Sequence, residues 1–231
     1  MKAIGPPERP ASIPLPTQDL PRAKSHGKGL RLWFVRHAEV AARYHEMAYG
    51  SMNVELSEEG QQQTARMGEA FRHIPVARIL SSDLDRARVM GEAISAATGV
   101  PVESHVGLRE MNRGDWQGIP KVDFIEFWHK QAATYWRDPY RWHAPGGEGD
   151  ELLFKRAYPL LADPIESGAD GILVVTAHGQ LIRVLLSRFL GLSVPESYDY
   201  YPDPAHGTCL VDGPDGWELV ARNLSPEQVS Q

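Results

Sequence analysis

The chain has almost no cysteine. Cys209 is the only one in 231 residues, so no internal disulfide can form and a cysteine-rich zinc module is excluded. That usage fits a reducing compartment. Cys209 lies in the apolar stretch Thr208-Cys209-Leu210-Val211 and reads as a core residue. Basic blocks and Arg/Lys-rich helical patterns are also missing, and the formal net charge is −6. Nucleic-acid binding draws most of its affinity from neutralised phosphates, so the composition speaks against it. No apolar run approaches the roughly 18 residues of a membrane span, and the N-terminus lacks the apolar core of a signal peptide. Together these absences predict a soluble, cytoplasmic protein with no nucleic-acid or membrane partner. Oligomeric state leaves no mark in the sequence.

Proline is unevenly spread. Residues 1–29 carry Pro6, Pro7, Pro10, Pro14, Pro16 and Pro21 and end in Ser25-His26-Gly27-Lys28-Gly29. Proline at that density blocks helices and strand ladders, so this segment reads as an extended or flexible arm. Residues 30–231 read as a single catalytic domain, a length well suited to one α/β unit with its own core.

In that domain, short apolar runs lead into helical patterns. Leu30–Val35, Val76–Leu80 and Gly171–Thr176 are strand candidates. A helix is predicted from Ser57. A second runs from Asp83 to about Ala97 and stops at Gly99-Val100-Pro101, and a third runs from Gln180 to Leu190 and stops at Gly191. Strand–helix alternation implies a mostly parallel sheet with helices on both faces, a three-layer α/β/α sandwich. Thr208–Val211 and Trp217–Ala221 flank a turn-rich spacer and predict a hairpin, so part of the sheet is antiparallel. Between about residues 118 and 148 lies an aromatic-rich helical insertion. There Ile125, Trp128, Ala132 and Tyr135 share one helical face. It is either a helix packed on the core, a lid over a pocket, or both.

Four segments carry the chemistry. Arg36-His37-Ala38-Glu39 follows the first strand directly, and ligands of open parallel sheets bind beyond the carboxyl ends of strands. Ser81-Ser82-Asp83-Leu84-Asp85-Arg86-Ala87 follows another strand and opens a helix, whose first turn favours anions. Leu108-Arg109-Glu110 precedes Gly114-Asp115-Trp116-Gln117-Gly118, and Val174–Gly179 ends a strand on His178. Arginine presents a planar fork of donors suited to phosphoryl oxygens. An unprotonated histidine can attack phosphorus, and nearby arginines disfavour its protonation.

These segments, with Leu56-Ser57-Glu58-Glu59-Gly60, Gln63 and Pro145-Gly146-Gly147-Glu148, resemble in order the motifs of the histidine phosphatase superfamily, the phosphoglycerate mutase-like fold. The resemblance covers about residues 30–223. In style it is similar to broad-specificity phosphatases and α-ribazole phosphatase. It implies a phosphomonoester hydrolase acting on a small-molecule phosphate ester, with no metal and no cofactor. His37 would be the nucleophile and become transiently phosphorylated. Arg36, Arg86 and His178 would hold the phosphoryl oxygens, and Glu110 would be the general acid and then the base.

Three positions depart from the family pattern. Ala38 replaces a glycine and Gln117 a common glutamate. Arg43 stands where many members carry an asparagine, as either an added phosphate ligand or a solvated side chain. No metal-binding histidine motif, phosphate-binding lysine loop or dinucleotide glycine fingerprint is present. Two other functions fit less well: a phosphoglycerate mutase-type isomerase, whose longer acidic segment is not seen, and a non-catalytic phosphate-ester binding module, which would have lost the nucleophile or acid.

Overall fold

The computed structural model describes residues 4–16, 20–166 and 171–230. Residues 1–3 and 17–19 of the proline-rich segment lie outside it. Six strands form one sheet: β1 (Arg31–Arg36), β2 (Val76–Ser82), β3 (Val102–His105), β4 (Ile172–Ala177), β5 (Gly207–Gly213) and β6 (Gly216–Leu224), in the order β3-β2-β4-β1-β5-β6. The first four are parallel neighbours, while β5 pairs antiparallel with β1 and with β6. The mostly parallel sheet with an antiparallel hairpin at one edge is the architecture the sequence predicts.

Side-chain alternation along the buried strands builds two cores. Leu32 and Phe34 of β1, with Leu173 and Val175 of β4, face a cluster completed by Leu153, Leu161, Leu181 and Leu185. These last come from α5 (Asp150–Glu166) and α6 (Gly179–Leu190). Trp33, Val35, Ile172 and Val174 face the other way, onto Met67, Phe71, Met90 and Ile94. Those belong to α1 (Glu58–Ala70), its C-terminal cap and α2 (Asp85–Thr98). The result is a three-layer α/β/α sandwich.

Local chemistry sets the helix ends. Ser57 caps α1, its hydroxyl accepting the Gly60 N–H at 2.9 Å. Gly99 and Gly191 close α2 and α6 in the left-handed conformation, φ 78° and 70°, where a side chain would be strained. The second helix starts two residues later than predicted, because Leu84 is extended and Asp83 instead takes an ion pair with Arg109.

The aromatic insertion is two helices, α3 (Lys121–Lys130) and α4 (Ala132–Tyr135), separated at Gln131. Phe124, Trp128, Tyr135 and Trp136 are buried together, with Ile125 and Ala132 packed against them. Two elements had no signal in the sequence. β3 is short and half-buried. α5 carries Pro159 and Pro164, residues that ordinarily argue against a helix interior. Short helices α7 (Val194–Ser197) and α8 (Pro226–Val229) complete the described residues.

The described parts of the N-terminal segment lie on this body without helix or strand, with a turn at residues 11–13. Ile4 and Ile13 pack on the aromatic insertion, and the Trp136 indole donates to the Pro7 carbonyl at 2.8 Å. Further on, Ala23 enters the first core, and Trp217 donates to the Lys24 carbonyl at 2.8 Å. Asp212 accepts from the Ser25 hydroxyl at 2.6 Å and the His26 N–H at 3.0 Å.

Candidate active site

The carboxyl ends of β1, β2 and β4 bring four of the predicted residues together. Arg36 ends β1, and His37 follows it with its N–H bonded to the Ala177 carbonyl at 3.0 Å. His178 follows β4 and caps α6. The two imidazoles lie with ring centroids 5.3 Å apart. Arg86 enters from the first turn of α2. All four are nearly inaccessible: Arg36 is 5% exposed, His37 2%, Arg86 1% and His178 0%.

His37 has a defined tautomer. Its Nδ1 lies 2.7 Å from the Ala38 carbonyl, which can only accept, so Nδ1 carries the proton and Nε2 is left with a free lone pair. Burial, followed by the charges of Arg86 and Arg36, holds the imidazole well below its ordinary value of 6.5. His178 is lowered in the same way, by burial first and then by Arg86. Its Nε2 lies 2.8 Å from the Ser82 hydroxyl, which itself accepts the Leu84 N–H at 3.2 Å. The tautomer in which Ser82 donates to Nε2 has the ring proton of neutral His178 on Nδ1.

Arg36 donates to the Pro202 carbonyl at 2.8 Å and lies over the Tyr201 ring. Arg86 donates to the carbonyls of Met52 at 2.6 Å and Gly50 at 2.9 Å and lies over Tyr49. The Nε of Arg36, the Nε of Arg86 and the Nδ1 of His178 are buried without a hydrogen-bond partner among the described residues. Buried donors of this kind cost about 1–3 kcal/mol each when unsatisfied. All three belong to side chains that neighbour His37.

Glu110 approaches from the loop after β3. Its carboxylate accepts the N–H of Met111 at 2.8 Å, of Gln180 at 3.1 Å and of Leu181 at 3.3 Å. The last two open α6, whose N-terminal end favours negative charge. The helix comes this close because Gly179 has no side chain: a Cβ there would overlap the Tyr201 phenol. Glu110 and Arg36 line one cleft with Tyr49, Gln180 and Tyr201.

Arg43 is not brought to this group. It sits on a short exposed turn, pairs with Glu55 and lies over Tyr44. The Ala38 residue is fully buried in the second core, so its methyl group joins the sheet packing. Gln117 ties loops together: its carbonyl oxygen accepts from the Ser51 N–H at 3.0 Å and the Ser51 hydroxyl at 2.9 Å. Other motif residues brace the site. The Ser57 hydroxyl donates to Glu39 at 2.7 Å, Gln63 accepts the Glu39 N–H at 3.1 Å, and Arg109 clamps Asp83.

Tyr49, Tyr201, Arg113, Lys121 and Gln180 line the cleft without having been singled out from the sequence. Of these, Gln180 directly follows the Val174–Gly179 motif and Arg113 lies within the segment from Leu108 to Gly118. The described residues hold no group of three or more His, Cys, Asp or Glu side chains able to bind a metal. None of their helices is long and apolar enough to cross a membrane.

Comparison with known proteins gives one family. The model of the histidine phosphatase superfamily (branch 1) matches residues 32–225. A glucosyl-3-phosphoglycerate phosphatase of Mycolicibacterium vanbaalenii is 32% identical over 71% of this chain and 76% of its own. A probable phosphoglycerate mutase of Salmonella choleraesuis is 29% identical over 71% of this chain and 76% of its own. The native structure of a mycobacterial glucosyl-3-phosphoglycerate phosphatase superposes with a TM-score of 0.75 at 29% identity, covering 85% of this chain and 100% of that one.

Proposed function

The chain belongs to the histidine phosphatase superfamily and is a phosphatase, and from that premise we propose that it hydrolyses small phosphate monoesters through a phosphohistidine on His37. The observation that carries this reading is the cage around His37. The Nε2 lone pair is free because Nδ1 is committed to the Ala38 carbonyl, and the side chains around it, Arg36, Arg86 and His178, each carry a buried nitrogen without a partner among the described residues.

In this reading His37 Nε2 attacks phosphorus while the ester P–O bond breaks. Arg36, Arg86 and the Nδ1–H of His178 take the equatorial oxygens, whose charge is best balanced by donors that need no reorganisation. Glu110 acts from its carboxylic-acid form, giving its proton to the leaving oxygen and becoming the carboxylate. It then takes one from a water that attacks the phosphohistidine, releasing inorganic phosphate and restoring the imidazole. No step calls for a metal ion or a cofactor. Arg43 has no part in this scheme. We assign catalysis to residues 30–231, and we place the protein in the cytoplasm on the strength of its single, buried, unpaired cysteine.

The test is to trap the intermediate. A phosphate ester labelled on phosphorus, quenched in alkali, should leave base-stable, acid-labile label on the peptide that contains His37. His37→Ala should lose both label and turnover while keeping its fold. Full activity in His37→Ala would refute the reading. An isomerase reading rests on the mutase relative, and 3-phosphoglycerate separates the two by yielding either free phosphate or 2-phosphoglycerate.

A further inference from the structure

A cavity of about 280 Å³ lies apart from the catalytic cleft, where the N-terminal segment crosses the C-terminal end of α6 and the start of α7. No described residue lines both. Its walls include Pro16, Leu20, Pro139, Val194 and Pro195, and its lining holds two arginines, Arg22 and Arg188. Pro16, Leu20 and Arg22 precede residue 32, where the family match begins, so this chain adds them to the shared fold.

Neither arginine has a carboxylate partner among the described residues, whereas Arg72, Arg88 and Arg141 each pair with an acid. Arg188 is 1% exposed, and its guanidinium lies 5.5 Å from the centre of the Tyr140 ring. Its Nε donates to the Ser187 hydroxyl at 3.1 Å and one Nη to the Leu192 carbonyl. The other Nη donates to nothing among the described residues. A place in the last turn of α6 suits a cation, because a helix ends on partial negative charge. That partial charge does not balance two guanidinium groups. Arg22 lies against Gly191, where an added Cβ would stand 2.7 Å from the guanidinium carbon. One residue on, the Ala23 N–H donates to the Arg188 carbonyl at 3.0 Å and fixes the approach. Two acids nearby are engaged elsewhere. Asp150 is paired with Arg183, and Glu196, the one carboxylate in the lining, accepts the Ser193 N–H at 2.8 Å and hydroxyl at 2.6 Å.

We propose that this cavity is a second binding site, remote from the catalytic one, for a small organic oxyanion, with Arg22 and Arg188 on its oxygens and the proline-rich walls on its apolar part. Two like charges set close together, one of them buried, are unfavourable without a counter-ion. An oxyanion between them supplies that charge and accepts from both guanidinium forks. The ligand class is a carboxylate or phosphate-type group on a compact apolar body, since the volume is near the lower end of ligand pockets, about 300–1,000 Å³.

The probe is phenylphosphonate, which has no ester bond to hydrolyse, titrated into the full-length chain and followed by backbone amide NMR shifts. Gly191, Leu192 and Ser193 report the cavity, while His37 and Gly179 report the catalytic site, so each site gives its own Kd. The Gly191–Ser193 amides should titrate saturably. Arg22→Gln should weaken that binding about tenfold, the loss expected for one hydrogen bond to a charged group, and leave the Kd read at His37 and Gly179 unchanged. Arg188→Lys keeps the charge without the fork and should weaken binding by a similar factor; where melting shows that this variant does not fold, Arg22→Gln decides alone. Methyl phenyl sulfone, which is uncharged, should leave the three amides unmoved, and inorganic phosphate should bind there more weakly than phenylphosphonate. The proposal would be overturned by no saturable shift at Gly191–Ser193, by equal shifts with the sulfone, or by tighter binding of phosphate. A Kd that Arg22→Gln leaves unchanged, or weakens equally at both sites, would overturn it as well.

Discussion

Replacing Glu110 by glutamine separates its two jobs. The carboxylate is 7% exposed and accepts three N–H groups, two on one oxygen and one on the other. An amide has a single accepting oxygen. Its favoured orientation keeps the Met111 and Leu181 bonds and turns the NH2 group against the Gln180 N–H. One hydrogen bond to a charged group is lost, about 1.5–3 kcal/mol. For a domain of this size each kcal/mol moves Tm by about 2–4 °C, so the variant should melt about 3–12 °C lower. The chemical loss is different in kind. General acid help is worth about 10²- to 10⁴-fold, or about 2.7–5.4 kcal/mol of barrier, and it grows with the basicity of the leaving oxygen. Alkyl phosphates should lose that amount in the first step, whereas nitrophenyl phosphate, whose phenolate leaves unaided, should lose little. Because the proposed scheme has the same carboxylate activate water, nitrophenyl phosphate should give a burst of nitrophenol and then slow turnover. The assay is rapid-mixing measurement of the first-step rate with both esters below the lowered Tm. An equal loss for both would refute the assignment, and Asp115 would be tested next.

Other expectations concern pH, metals and the buried ion pair beneath the cleft. His37 and His178 stay neutral in the folded chain but take up protons near pH 6.5 when unfolded, so their contribution to stability is complete above that pH and declines below it. Denaturant midpoints at pH 7.5 and 5 should show this fall, and His178→Asn should flatten it. Activity should survive exhaustive chelation and be inhibited by vanadate; loss with EDTA that a divalent ion restores would reject a metal-free mechanism. Arg183, 1% exposed, is paired with Asp150 and donates to Gln180 at 2.8 Å and Ser197 at 2.7 Å. Asp150→Ala leaves that charge buried alone, a cost of about 3–5 kcal/mol, and thermal melting should drop accordingly, by about 6–20 °C.

Much of this was written plainly in the chain. β1 and β4 are continuous apolar runs because both faces of a central parallel strand are covered, and a turn-rich spacer marks the hairpin of β5 and β6. Arg36, His37, Arg86 and His178 stood out because each sits in or beside a strand-end motif. What was hidden depends on distant partners. α5 tolerates Pro159 and Pro164 because its packing face, Leu153, Ala157, Leu161 and Ile165, is locked into the first core. Tyr49 and Tyr201 are ordinary tyrosines in sequence and become cleft residues only when their loops fold over Arg86 and Arg36. Arg113 was read as part of a motif, and only the placement of Phe124 and Lys121 beside it gives it a surrounding. The proline-rich segment announced its lack of helix and strand but not the side chains it leans on.

The position of β4 in the sheet bears on how the molecule comes to exist. β1 and β2 are not neighbours; β4, made more than a hundred residues after β1 has left the ribosome, lies between them. Until that strand arrives, the edges that will hold Arg36 and Ser82 at their final spacing are open, and His37 faces no second histidine. A chain stalled before residue 172 therefore has α1, α2 and two incomplete sheet edges but no site. Such dependence on distant pairing makes for slow folding and a period of exposed strand edges. Assembly of the cage proposed around His37 and closing of the sheet are one event, so a newly made chain should be inert until its central strand is in place.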